Sequence, residues 1–287
     1  RELAGAFRDE IRQPSPDGEA RLQALGEAAF AALPEPVQHV LRAHDVLFWV
    51  PDFRSDQDDV PFELFHDGDR FLGLGRIVAR VLSLQELLRI VEPSVLPPHE
   101  PPRALAIAAP RVPGYKELIY AGWELEEIRA LFAEAGLESP ELGEEQLTAG
   151  EVLYACEKAG IVHIAAHGAI AAGGEALILP GRERLLAADV ERKPQFLRSA
   201  VFLNTCSLGQ SRYLGGGVSR GIAYALARRQ APCVLANLLP VYDRSSTELA
   251  IAFYDYARSK PAGEALRLAR QEMAAGGLSP THWAATV

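Results

Sequence analysis

Two apolar runs in the second half of the chain end alike, each handing off a reactive side chain and then a glycine. IVHIAAHG closes on His167 and Gly168, and AVFLNTCSLG runs into Cys206 with Gly209 just beyond. Short apolar runs bounded by glycine have the pattern of buried strands in a parallel sheet. Around them the chain alternates. RALAIAAP and APCVLANLLP read as strands, while WELEEIRALFAEAG and residues 146–159, 217–229, 244–258 and 262–275 read as helices. A short strand near Leu137, a hairpin-like ALILPG and a helix LAADVE fill the gaps. Such alternation predicts an α/β fold, a mostly parallel central sheet with helices on both faces. In sheets of this kind the carboxyl ends of neighbouring strands meet in one crevice, so His167 and Cys206 are predicted to converge there.

The first hundred residues are less regular. Residues 1–36 read as a helical leader, with a helix from Glu19 to Ala32 stopped by Pro34 and Pro36, and a second helix follows at 37–44. VLFWVP reads as a strand, DFRSDQDD as a polar loop, and FELFHDGDRFLGLGRIVARVL as a hairpin turning at Asp67-Gly68. SLQELLRIVE is predicted to be a helix capped by Ser83, and EPSVLPPHEPPR, with five prolines, a linker. Residue 1 is Arg rather than Met, so the chain is expected to be part of a longer protein that continues upstream.

Composition excludes several classes. A net charge of −9 argues against a nucleic-acid surface, which needs clustered Lys and Arg. The most apolar window, 161–179, is broken by His163, His167, Glu175 and glycines, so no membrane span is expected. The three cysteines, Cys156, Cys206 and Cys233, contain no CxxC pair, which argues against both a disulfide framework and a zinc ribbon. Reduced thiols and the lack of a signal peptide fit a cytoplasmic protein. No metal and no cofactor is expected. His163 and His167 would stand about 13 Å apart on one strand, too far for one ion, which leaves His163 as a core or supporting residue. The GLG and GGG runs complete no nucleotide-binding loop.

The chemistry follows from pairing a base with a thiol. Buried histidines and free cysteines are common in cores, and Cys156 and Cys233 suit that bland role. Cys206 differs, because it ends its strand among Asn204, Thr205 and Ser207. The Cys206 thiolate would attack a carbonyl while His167 moves the proton to the departing amine. Backbone N–H groups of Gly168 and Cys206 would hold the oxyanion. No third residue stands out to orient the imidazole, so a dyad is expected. GVSRG also fits the nucleophile elbow of serine hydrolases, with Ser219 as a rival nucleophile. The preceding SRYLGG reads as too short and glycine-rich for the strand an elbow requires, so Ser219 is expected at a helix start.

These motifs resemble the CHAT domain, a caspase-like cysteine protease module of the clan that includes caspases, separases and gingipains. HIAAHG is similar to the family's histidine motif and FLNTCSLG to its cysteine motif. VSRGIAYALARRQAPCVLANLLPVYD, AGEALRLARQEM, SPTHWAATV and the upstream VPFELFHDGDRFLGLGRIVARVLSLQEL resemble its other segments in order. The likeness covers 37–287, with 37–102 as an introductory subdomain. It implies a caspase-like fold, His167 as base, Cys206 as nucleophile and Gly168 as the oxyanion contact. It also places Asp243 near the pocket for the residue before the scissile bond, where a carboxylate would favour Arg or Lys. Asn204, on the Cys206 face of the strand, would line the pocket or bond to backbone. Asp243 equally suits a helix cap, and the Ser-Leu-Gly after Cys206 and the tyrosine before Asp243 depart from the commonest family pattern. The implied activity is a cysteine endopeptidase that cleaves a dedicated protein partner in bacterial defence or regulated cell death, for example a gasdermin-like protein. A regulatory or sensor region upstream of residue 1 would restrain it, and loop 207–216 would move or be cut on activation. The alternative is a catalytically silent scaffold for protein binding.

Overall fold

A computed structural model describes residues 2–13, 15–49, 61–81, 103–142, 147–171, 174–193, 199–205, 211–214 and 217–287. The predicted polar loop, the Ser83 helix, the proline-rich linker up to residue 102, and Cys206 itself lie outside these residues. The chain opens with helices α1 (Glu2–Arg12), α2 (Gly18–Ala31) and α3 (Glu35–Ala43), then strand β1 (Val46–Trp49). A 3-10 turn at Phe62–Leu64 and the short helix α4 (Leu72–Gly75) lead to β2 (Ile77–Arg80). The α/β portion runs β3 (Ala104–Ala108), α5 (Ala121–Glu134), α6 (Ala149–Lys158), β4 (Ile161–Ala165), β5 (His167–Ala171), β6 (Gly174–Ile178), β7 (Arg184–Leu186) and α7 (Ala187–Glu191). It continues through β8 (Ala200–Asn204), β9 (Ser211–Leu214), β10 (Gly217–Arg220), α8 (Ile222–Arg228) and β11 (Val234–Ala236). Three helices close the chain: α9 (Asp243–Ala257), α10 (Ala262–Ala275) and α11 (Pro280–Trp283).

The central sheet has the order β11-β8-β4-β3, and every pairing in it is parallel. Alternating side chains along each strand feed two separate cores, as strand geometry requires. On one face Phe202, Leu235 and Ala106 pack with Ile128, Phe132, Phe253 and Trp283 under α5, α9, α10 and α11. On the other, Val162, Ile164, Val201 and Leu203 pack with Val152, Leu153, Ile222 and Leu226 under α6 and α8. The predicted mostly parallel α/β fold with helices on both faces is therefore what forms. The first core also takes in Phe7 of α1 and Leu22 and Phe30 of α2.

Four local expectations differ. The predicted hairpin around Asp67-Gly68 shrinks to one antiparallel bridge, His66 with Phe71, flanked by helical turns. Its second arm, β2, instead pairs in parallel with β1, Val46 opposite Ile77. The strand carrying His167 ends at Ala165, and His167 begins β5 in a separate antiparallel sheet of order β5-β6-β7. The glycine-rich loop after Cys206 contains, in its described part, an antiparallel hairpin of β9 with β10, and the helix expected at 217 starts at Ile222. The strand expected near Leu137 is a single parallel bridge between Arg103 and Glu138. Among the described residues no helix is long and apolar enough to cross a membrane, and no cluster of three or more His, Cys, Asp or Glu could hold a metal.

Candidate active site

His167 stands just past the carboxyl edge of the parallel sheet. The last β4–β8 pair is Ala165 with Asn204, and the Ala166 N–H donates to the Asn204 carbonyl at 3.4 Å. His167 lies two residues beyond that pair, and Thr205 one residue beyond it on the other strand. There β5 turns out of the parallel sheet, with His167 opposite Ile178 and Gly168 opposite Leu177.

The imidazole is half-buried and held by the loop between β3 and α5. Gly114 adopts φ +90, a conformation glycine takes without strain, and the Tyr115 N–H closes the turn on the Val112 carbonyl at 3.0 Å. Val112 is buried and anchors the loop. The Tyr115 ring then lies against His167, centroids 5.0 Å apart and planes inclined by 31°. Burial lowers the basicity of His167 below its ordinary value, opposed by a hydrogen bond with the Lys116 backbone and by the negative charge of Asp243. Nε2 is buried and has no hydrogen-bond partner among the described residues. Sequence reasoning missed this loop, whose only signal is the Pro113-Gly114 turn before Tyr115.

Asp243 is the first residue of α9 and half-buried. Its carboxylate does not cap its own helix. Oδ2 accepts instead from the Tyr120 N–H at 3.1 Å, at the start of α5, within electrostatic reach of His167.

Beneath the rim lies a network that sequence reasoning did not anticipate, centred on Glu124 in the first turn of α5. Glu124 is 1% exposed and His163 fully buried. Glu124 Oε1 accepts from His163 Nε2 at 2.8 Å and from Asn204 Nδ2 at 2.7 Å, and Oε2 accepts from the Thr247 hydroxyl at 2.8 Å. Asn237, just past β11, donates from Nδ2 to Asn204 Oδ1 at 3.2 Å and to the Thr205 carbonyl at 3.1 Å. Thr286 donates to Asn237 Oδ1 at 2.6 Å. Asn204 is thus buried, with both ends of its amide engaged by side chains.

The remaining nucleophile candidates separate clearly. Burial pushes the Cys156 thiol up to about 12 and the Cys233 thiol up to about 11. Ser219 lies within β10, opposite Arg212, neither at the strand-to-helix tip an elbow requires nor at a helix start. A cavity of about 190 Å³ opens at the amino ends of β4 and β8, lined by Ile161, Ala200 and Cys233 among others, remote from His167.

A parallel sheet with helices on both faces and a histidine just past its carboxyl edge defines an α/β protein with a candidate site at the strand ends. The chain belongs to the CHAT domain family, whose model matches residues 23–287. Among solved structures, separase of Saccharomyces cerevisiae, in complex with securin, is 17% identical with a TM-score of 0.56. That likeness covers 80% of this chain and only 14% of the separase chain. The Arg-specific cysteine proteinase gingipain R is 11% identical with a TM-score of 0.55, covering 99% of this chain and 71% of its own. At such identities the likeness establishes the shared fold. Comparison with curated proteins finds no match.

Proposed function

We propose that the chain is a cysteine endopeptidase in which Cys206 is the nucleophile and His167 the base. The observation that carries this reading is the state of His167. The Lys116 backbone acts on the ring, and Nε2 is buried without a partner among the described residues, just past the carboxyl ends of β4 and β8, the latter ending two residues before Cys206. Two further facts support it. Of the three thiols, Cys156 and Cys233 are held protonated by burial, and thiolate is the reactive form. The fold is shared with separase and gingipain R, the latter a cysteine proteinase.

His167 Nε2 takes the thiol proton, and the thiolate attacks the scissile carbonyl. The backbone N–H of Gly168, with that of Cys206, stabilises the oxyanion. The imidazolium then gives its proton to the leaving amine as the C–N bond breaks, and water hydrolyses the thioester with His167 again as base. Asp243, a half-buried carboxylate within electrostatic reach of His167, supports a preference for Arg or Lys before the cleaved bond. The substrate in this reading is a dedicated protein partner, with regulation from an upstream region, in cytoplasmic defence or cell death. In wild type, labelled peptides with Arg or Lys before the bond, or the protein partner, are expected to be cleaved. Cys206→Ala and His167→Ala are each expected to lower kcat/KM at least about 1,000-fold. Turnover surviving Cys206→Ala but lost in Ser219→Ala would overturn the proposal in favour of a serine hydrolase. No turnover in any of these assays would favour a binding scaffold.

A further inference from the structure

We infer that Glu124 is a positioning residue for the nucleophile, a buried carboxylate that ties the end of β8 to α5, β4 and α9. This rests on the cysteine-peptidase reading above.

Asn204 and Thr205 are the last two residues before Cys206, and strand ends open readily unless tethered. Here both are tethered. Asn204 is bound to Glu124 and Asn237 through its side chain, and Thr205 to Asn237 through its carbonyl. Glu124 joins that strand end to His163, four residues before His167 on the neighbouring strand. One carboxyl group therefore braces both strands that lead to the proposed dyad, from a layer below the rim. It touches neither His167 nor a substrate surface. The role is also chemically demanding: a carboxylate taken out of water is costly, and an apolar residue of similar volume would often be as stable or more so. A purely structural filler at this position would not need three side-chain donors converging from a helix and two strands.

The His163 ring adds a constraint. Its Nδ1 is buried without a hydrogen-bond partner among the described residues, while Nε2 meets Glu124. That arrangement places a proton on Nε2, which donates to the carboxylate.

The test reads the thiol directly, so it does not depend on knowing the substrate. The pH–rate profile of iodoacetamide alkylation at Cys206 is followed by peptide mass spectrometry in the full 287-residue chain, with thermal unfolding and, once a cleavable peptide is in hand, kcat and KM. Glu124→Ala is expected to slow Cys206 alkylation and lower kcat by about 10- to 100-fold, with KM within about twofold, because small misplacements of a reacting group carry penalties of that size. Glu124→Gln, which keeps an acceptor for His163 and Asn204, is expected to restore most of the loss. Should Glu124→Ala fail to fold, Thr247→Val removes one donor with little change of shape and is expected to slow alkylation by about 3- to 10-fold. A folded Glu124→Ala, or Thr247→Val, with wild-type alkylation and kcat overturns the inference. A wild-type Cys206 no more reactive than Cys156 and Cys233 overturns the peptidase reading instead, whatever the Glu124 variants do.

Discussion

At the scale of single residues, His167 is the most informative side chain, because two opposing influences meet on it. Burial disfavours its charged form, while the Lys116 hydrogen bond and the Asp243 charge favour it, and burial wins. Its NMR titration midpoint, measured in a Cys206→Ala background, is therefore expected below the ordinary 6.5. Asp243→Asn removes one of the favouring influences and is expected to move the midpoint lower still; an upward move would show that Asp243 does not act on this ring. The sign for stability follows. The folded state binds this proton less tightly than the unfolded chain, so the stability His167 contributes is present above 6.5 and is lost as pH falls through its folded value. The position of His167 at the carboxyl edge of the sheet was legible in the sequence because an apolar, strand-like run leads up to it, although the parallel strand stops at Ala165 and His167 opens β5. Glu124 was not legible, since in sequence it is one acidic residue in the first turn of an amphipathic helix. Its partners His163, Asn204 and Thr247 lie 39, 80 and 123 residues away.

At the scale of elements, α2 shows how a helix of the predicted leader docks. Gly26 faces the 3-10 turn, and a Cβ built there would meet the Leu64 carbonyl closer than real contacts allow and crowd the His66 backbone. Gly26→Ala is expected to destabilise by about 1–3 kcal/mol, as overpacking of a tight contact does. Gly5, inside α1, has open space at the same position, so Gly5→Ala is expected to stabilise by about 0.5–1 kcal/mol. Urea unfolding of the two variants checks both signs, and equal effects would mean that α2 does not pack tightly on the turn. The alternating β and α pattern after residue 103 was readable because buried parallel strands are continuously apolar and their helices amphipathic. The segment 62–80 was misread for a physical reason. Its apolar residues suggested one hairpin, yet β2 finds its partner in β1, some thirty residues earlier, and only tertiary packing decides such a non-local pairing. The β9–β10 hairpin was hidden likewise, since glycines at 215–217 look like loop whether or not strands flank them.

At the scale of the whole molecule, the 62–80 segment and the carboxyl-terminal residues are tied to the sheet through buried polar groups. Glu63, fully buried after the 62–80 segment enters the core, pairs with Arg80 at 2.7 and 3.0 Å through both carboxylate oxygens. Burial alone would push the Glu63 carboxyl up, but Arg80 and Arg270 together hold it below its ordinary value. Arg270, 1% exposed in α10, is itself pushed down to about 10 by burial and donates to the Thr286 carbonyl. Thr286 continues to Asn237, Asn204 and Glu124, and the Val287 and Ala236 backbones bond reciprocally at 2.9 Å. A polar path thus runs from the amino-terminal segment through the carboxyl terminus to the end of β8. Glu63→Gln would take the Glu63 charge away from the half-buried Arg80 and the buried Arg270 guanidinium groups, a loss expected to cost about 3–5 kcal/mol, the range for breaking one side of a buried ion pair. Because the path joins segments far apart in the chain, the loss should appear as one transition shifted together in tryptophan fluorescence and circular dichroism. Acid sensitivity should change as well. The lowered Glu63 carboxyl contributes stability above about 4.5 that fades as pH falls through its folded value, and Glu63→Gln lacks that component. Two separate transitions, or a loss under about 1 kcal/mol, would mean that the amino-terminal segment is an appendage to the sheet rather than part of its core.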